Sequence, residues 1–214
     1  MGGQRVRQPS HSASGRPRLS SRQNLADAAA ELFLEQTYAG TTIDEIARRA
    51  GVSRASFFNY FGSKSDLLWL EVDESLGQFG DLLTRQPEGI QVMSAVQDAV
   101  LALAEQFGPA RLPLAVTQYE LMGTNSELES SGLPRFLSLV RLLSDEVARR
   151  TGIEAAELLP RSIATAVIGA AVAAAAVWAR SGVRRGDLRD VVETAVAPVC
   201  AGYQRALDDR GATS

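Results

Sequence analysis

Apolar residues recur along the chain at helical spacing. Leu25, Ala28, Ala29, Leu32 and Phe33 follow i, i+3, i+4 order, with Asp27, Glu31 and Glu35 on other faces, the pattern of an amphipathic helix. This first helix is expected from Leu19, and Gly40 ends it. Ile43, Ile46, Ala47 and Ala50 form a second apolar face. Further helices are expected over about 63–84, 89–107, 112–124, 133–151, 157–181 and 187–208. Pro87, Gly108–Pro109, Gly132–Pro134, Gly152 and Gly182 separate them. Pro198 falls inside the last and is expected to kink or split it. No run alternates apolar and polar between hairpin turns, so the expected fold class is all-α.

The segment Ile163–Ala179 has 17 residues without a charge, flanked by Arg161 and Arg180. A membrane span needs about 20 strongly apolar residues, and this segment is mostly alanine. The expectation is no membrane span but a helix buried on all sides, packed closely through Ala166, Gly169, Ala170, Ala173 and Ala174. Such a helix is hard to cover within one short chain. Pairing it with the Val191, Val192, Ala195, Val196, Val199 stripe predicts a four-helix bundle at the centre of a homodimer.

Charge placement adds a functional clue. The net charge is −3, but residues 1–64 carry nine basic groups against five acidic, and residues 65–214 carry 13 against 20. A basic N-terminal third suggests a polyanionic partner. Residues 1–18, with four arginines, three glycines, two prolines and no acid, read as a disordered basic arm. They lack the apolar middle of a secretory signal, so a cytoplasmic location is expected. One cysteine, Cys200, and one histidine, His11, argue against a disulfide framework, a zinc cluster and Ser-His-Asp or Cys-His catalysis. No nucleotide fingerprint is present. The reading is a non-enzyme with no metal and no cofactor.

The informative segment is TTIDEIARRAGVSRASFFNYFGSK, residues 41–64. Thr42 and Glu45 have capping-box spacing. Gly51 can leave that helix through the left-handed conformation, Val52 packs inward, and Ser53 can cap a second helix running through Phe61. Two short helices joined by such a turn form a helix-turn-helix, whose second helix enters the major groove. Phe57 and Phe61, at i and i+4, can lock that helix into a three-helix core. Arg54, Ser56, Asn59 and Tyr60 lie on its outer faces. Arg suits guanine and phosphate, Asn suits adenine, and hydroxyls suit phosphate oxygens. Lys64 is expected at the start of the next helix, where the dipole favours a phosphate.

At these residues the chain resembles the TetR family of bacterial transcriptional regulators. Ile46-Ala47-Arg48-Arg49-Ala50-Gly51-Val52-Ser53, Asn59-Tyr60-Phe61, Ser63-Lys64 and Leu67-Leu68 match its N-terminal pattern, over about residues 20–69. The resemblance implies a double-stranded DNA operator, with phosphate contacts from Thr42, Ser56, Tyr60 and Lys64 and base reading near Arg54, Ala55 and Asn59. Phe58 stands where the family usually has a tyrosine, so it is carried over as a stacking or van der Waals contact alone. The implied division is a basic arm over 1–18, a DNA-binding domain over 19–66 and a helical effector-binding and dimerisation domain over 67–214.

Trp69, Leu158-Leu159-Pro160 and Trp178 are similar to an actinobacterial subgroup that includes the mycofactocin-system regulators, some of them linked to acyl-CoA ligands. The reading is a repressor released by a small apolar effector, repression being the family's commoner mode; the alternative is a constitutive regulator or activator without an inducer. Met93, Phe107, Tyr119, Met122, Phe136, Val140 and Trp178 are the candidate lining of the effector pocket, with Gln118, Tyr119 and Glu120 as polar anchors. A ligand there would shift the helix beginning near Ser63.

Overall fold

The computed structural model describes residues 18–107, 117–182 and 186–211. Residues 1–17 of the basic arm lie outside them, and Arg18 begins α1; residues 112–116 of the helix expected at 112–124 also lie outside. Among the described residues every regular element is helical: α1 (Arg18–Gly40), α2 (Ile43–Arg49), α3 (Arg54–Phe58), α4 (Asp66–Leu76), α5 (Phe79–Thr84), α6 (Val92–Ala104), α7 (Tyr119–Met122), α8 (Asn125–Thr151), α9 (Leu158–Arg180) and α10 (Leu188–Gly211).

Two apolar cores form. The first gathers Leu25, Phe33, Ile46, Phe57 and Phe61 with Leu67, Leu68 and Leu70 of α4. Burial of each such side chain stabilises by about 1.5–3 kcal/mol. Arg49 holds α2 on α1 by donating to both carboxylate oxygens of Glu35, at 3.0 and 2.8 Å, and to Glu31 at 3.1 Å. The second core joins Phe79 and Leu83 to α6, α8, α9 and α10. Its edge carries a buried ion cluster. Glu146 accepts from Arg149 and Arg150, and Arg150 also donates to the carbonyls of Gln86 and Pro87, so the loop after α5 is pinned to α8.

Five expectations change. The helix expected at 63–84 is two, α4 and α5, because the chain turns at Gly77–Gln78. Gly132–Pro134 does not separate helices. Both lie inside α8, whose other turns are held by packing against α9 and α4. Pro198 likewise sits within an unsplit α10. The second helix of the helix-turn-helix ends at Phe58 rather than Phe61, although Phe61 still donates its N–H to the Phe57 carbonyl at 3.0 Å and stays buried. Finally, α9 is not buried on all sides within one chain. Ile163, Ala164, Val167 and Ile168 face the core, but Leu158, Val172 and Val177 are 85%, 48% and 62% exposed. By length and composition α9 could cross a membrane; its inner face instead forms the second core.

Candidate nucleic-acid interface and effector cavity

The interface is built by caps and turns. Thr42 caps α2: its hydroxyl accepts the Glu45 N–H, while Glu45 takes the Thr42 N–H at 2.8 Å and its hydroxyl at 2.7 Å. Those bonds hold the Glu45 carboxyl below its ordinary range, the backbone bond from Thr42 contributing most. Gly51, with φ +71°, makes the turn that a side chain would strain. Ser53 then caps α3 by accepting the Ser56 N–H at 3.0 Å, and the two hydroxyls share a hydrogen bond at 2.9 Å.

Of the sequence-derived contacts, Thr42, Arg54, Ala55, Phe58 and Asn59 are exposed, and Ser56, Tyr60 and Lys64 half-buried. They occupy one region because α2 and α3 share the first core. Arg54 does not float free: it donates to Asp44 at 3.0 Å, and its guanidinium lies 5.5 Å from the centre of the Phe58 ring. Phe58 is 47% exposed, an apolar face offered beside a fixed cation.

Lys64 is not at the helix start. It sits in the turn before Ser65, the N-cap of α4. The N–H groups of Gly62 and Ser63 donate to the Asp66 carboxylate at 2.9 and 3.0 Å, so this protein's own acid takes the anion position there. The Lys64 ammonium donates to the carbonyls of Tyr38 and Thr41, both at 2.7 Å, and lies 4.0 Å from the Tyr38 ring centre. Partial burial lowers its pKa, against the opposing pull of Glu127. Two of its three N–H donors thus anchor the end of α1 at Tyr38 and Thr41, the residue that leads into Thr42.

In the second core a cavity of about 530 Å³ opens. Helices α4, α5, α6, α7, α8, α9 and α10 all contribute to its wall, which is almost wholly apolar. Phe107, Tyr119, Phe136 and Trp178 line it. Met93 packs in the second core, Val140 against that core's surface, and Met122 in the first core. Tyr119 and Met122 both belong to the single turn of α7, which lies between the two cores: Tyr119 lines the cavity and Met122 is buried in the first core. Gln118 and Glu120 do not line it; among the described residues, Asn125, Glu129, Arg135 and Arg180 join Tyr119 as polar side chains at the wall. Trp178 is fixed by donating its indole N–H to the Gly186 carbonyl at 2.6 Å.

The wall supplied by α4, where Trp69, Val72 and Leu76 line the cavity, is not among the lining expected from sequence. A signal existed. Leu67, Leu68 and Leu70 serve the first core, against which Trp69 also packs, and Val72, Leu76 and the outer side of Trp69 are left on another face needing cover. Gly132 supplies that cover: a Cβ there would lie 3.3 Å from the Trp69 ring, a tight contact that the ring would have to relieve by a few tenths of an ångström.

The sequence model for TetR-family bacterial regulatory proteins matches residues 25–69, and that for the MftR C-terminal domain matches residues 90–204. A relative named as a mycofactocin biosynthesis transcriptional regulator, MftR, of Mycobacterium tuberculosis is 27% identical over 92% of this chain and 98% of its own. The fold is similar to that of NalD, the secondary repressor of the MexAB-OprM multidrug efflux pump in Pseudomonas aeruginosa (TM-score 0.58, 20% identity, 86% of this chain and 97% of that one). It is also similar to FadR of Thermus thermophilus (TM-score 0.53, 24% identity, 85% and 94%). The capped helix pair, the glycine turn and the helical second core therefore have one explanation: the chain belongs to the TetR family of DNA-binding transcriptional regulators, in the branch carrying an MftR-type C-terminal domain.

Proposed function

We propose that the protein is a homodimeric repressor that binds a palindromic duplex through Thr42, Arg54, Ala55, Ser56, Phe58, Asn59, Tyr60 and Lys64. A small apolar effector, acyl-CoA-like in having a long alkyl chain, releases it. The observation that carries this reading is the cavity of about 530 Å³, whose wall includes α4, the helix that also closes the first core. An occupant touching Trp69 or Leu76 presses on the same helix whose Leu67, Leu68 and Leu70 hold the DNA-binding unit. The FadR relative of the fold was solved in complex with lauroyl-CoA, which supports an alkyl chain as the class to try first. Residues 1–18 then serve as a basic arm, 19–66 as the DNA-binding domain and 67–214 as the effector and dimerisation domain. Such a protein works by binding rather than turnover, in the cytoplasm where its operator lies.

The test has two parts. Selection from random duplexes should yield a palindrome with half-site centres about 34–36 Å apart or modestly more. A thermal-shift screen with acyl-CoAs should then raise the melting temperature with chain length, as binding to the folded state demands. Enrichment without any palindrome, or no shift with any acyl chain, would contradict the reading.

A further inference from the structure

Arg135 differs from the other groups at the cavity wall because it also ties two helices together. It lines the cavity, and its side chain is 20% exposed. Its Nε and Nη2 donate to the two carboxylate oxygens of Asp73 on α4, each at 2.6 Å, while Nη1 donates to the Ser131 carbonyl at 2.8 Å. Asp66 adds a second carboxylate at 4.0 Å. The guanidinium lies 4.8 Å from the centre of the Trp69 ring, whose indole N–H donates to Ser131 Oγ at 2.8 Å. Asp66, Trp69 and Asp73 share one face of α4, at i, i+3 and i+7. The whole junction between α4 and this part of α8 is therefore one charged clamp laid against an apolar cavity.

We propose that Arg135 reads the charge of the effector: a single-chain amphiphile whose oxyanion, carboxylate or phosphate, reaches Arg135 competes with Asp73 for the guanidinium and loosens α4 from α8. This rests on the cavity being the effector site. Three of the five guanidinium N–H groups are engaged by Asp73 and Ser131. An incoming anion can take the remaining edge or replace Asp73. In the first case two like charges share one cation in a partly dehydrated wall, where their repulsion is weakly screened; in the second Asp73 has given up the guanidinium. The anion therefore binds better when Asp73 has withdrawn, and this difference in affinity between two positions of α4 is what a ligand needs to shift a conformation. Asp73 is 37% exposed on its side chain, so water receives its carboxylate when it leaves. An uncharged alkyl chain of equal length fills the same apolar wall without contesting Asp73. It occupies the cavity and leaves the clamp closed.

The experiment uses the full-length protein and two probes that differ only in charge, decanoate and 1-decanol, followed by titration calorimetry. Asp73→Asn removes the competing charge and should tighten decanoate about tenfold, the scale of one screened charge repulsion, while 1-decanol changes by less than about twofold. Such a gain in affinity for one probe is not what a damaged fold produces. Arg135→Gln should weaken decanoate and leave 1-decanol within about twofold. If decanoate binds Asp73→Asn no more tightly than wild type, or if both probes gain alike, the clamp does not read charge, although 1-decanol binding would leave the cavity reading standing. If neither probe binds wild type, the cavity is not the effector site and this proposal falls with it.

Discussion

At the residue scale, the side chains proposed to meet DNA differ in how far the fold already engages them. Arg54 on α3 and Asn59, the C-cap of that helix, are exposed, and Arg54 is pre-oriented between Asp44 and Phe58. Asn59→Ala or Arg54→Ala should cost about 1–3 kcal/mol on the selected duplex and relax preference at particular bases. Anisotropy titrations on matched and single-substituted duplexes check this. Tyr60→Phe should weaken all duplexes alike. Lys64 carries two demands, since its ammonium already bonds the Tyr38 and Thr41 carbonyls. Lys64→Ala should lower affinity for every sequence. If Lys64 also neutralises a phosphate, the slope of log affinity against log salt falls by about 0.9. An unchanged slope with lower thermal stability would make it a clamp alone. Residue types in this region were legible because caps, a glycine turn and buried aromatics have local causes. The bonds of Lys64 were not, because Tyr38 lies 26 positions away and only folding brings the two together.

At the element scale, helix existence was readable and helix ends were less so. Gly132 and Pro134 read as a break, yet Gly132 sits inside α8 to admit the Trp69 ring, a tertiary contact with no local mark. Met122 read as pocket lining from its spacing, yet α7 turns it into the first core. The capping box of α2 followed directly from Thr42 and Glu45, and it carries a pH prediction. The Glu45 pKa is lowered from its ordinary 4.5, first by the Thr42 N–H. A depressed carboxyl pKa contributes stability that is present above 4.5 and lost as pH falls through the lower, folded value. Thermal melts of wild type and Glu45→Gln should therefore differ at pH 6 and converge as the pH falls below 4.5 and the carboxylate is protonated. A difference that grows on acidification would reverse the sign and exclude this role.

At the scale of the whole molecule, one chain leaves α9 half covered. Val172 and Val177 are exposed beside small residues, and a second copy laying its α9 and α10 there would complete a four-helix bundle. A Cβ at Gly169 meets nothing within 4 Å in the single chain. Gly169→Arg should accordingly leave helical content unchanged and give a monomer by sedimentation, with specific DNA binding lost as the two recognition helices separate. A dimer that survives this change would move the interface elsewhere. The same scale holds the central claim, that cavity occupancy changes DNA binding through α4. It is tested most directly by the affinity of the protein for its selected duplex with and without saturating palmitoyl-CoA, followed by fluorescence anisotropy. The account predicts a fall of about tenfold or more, within the usual range of allosteric coupling, and a much smaller fall for Tyr119→Ala. An unchanged affinity, with palmitoyl-CoA shown to be bound by quenching of Trp69 and Trp178, would contradict it.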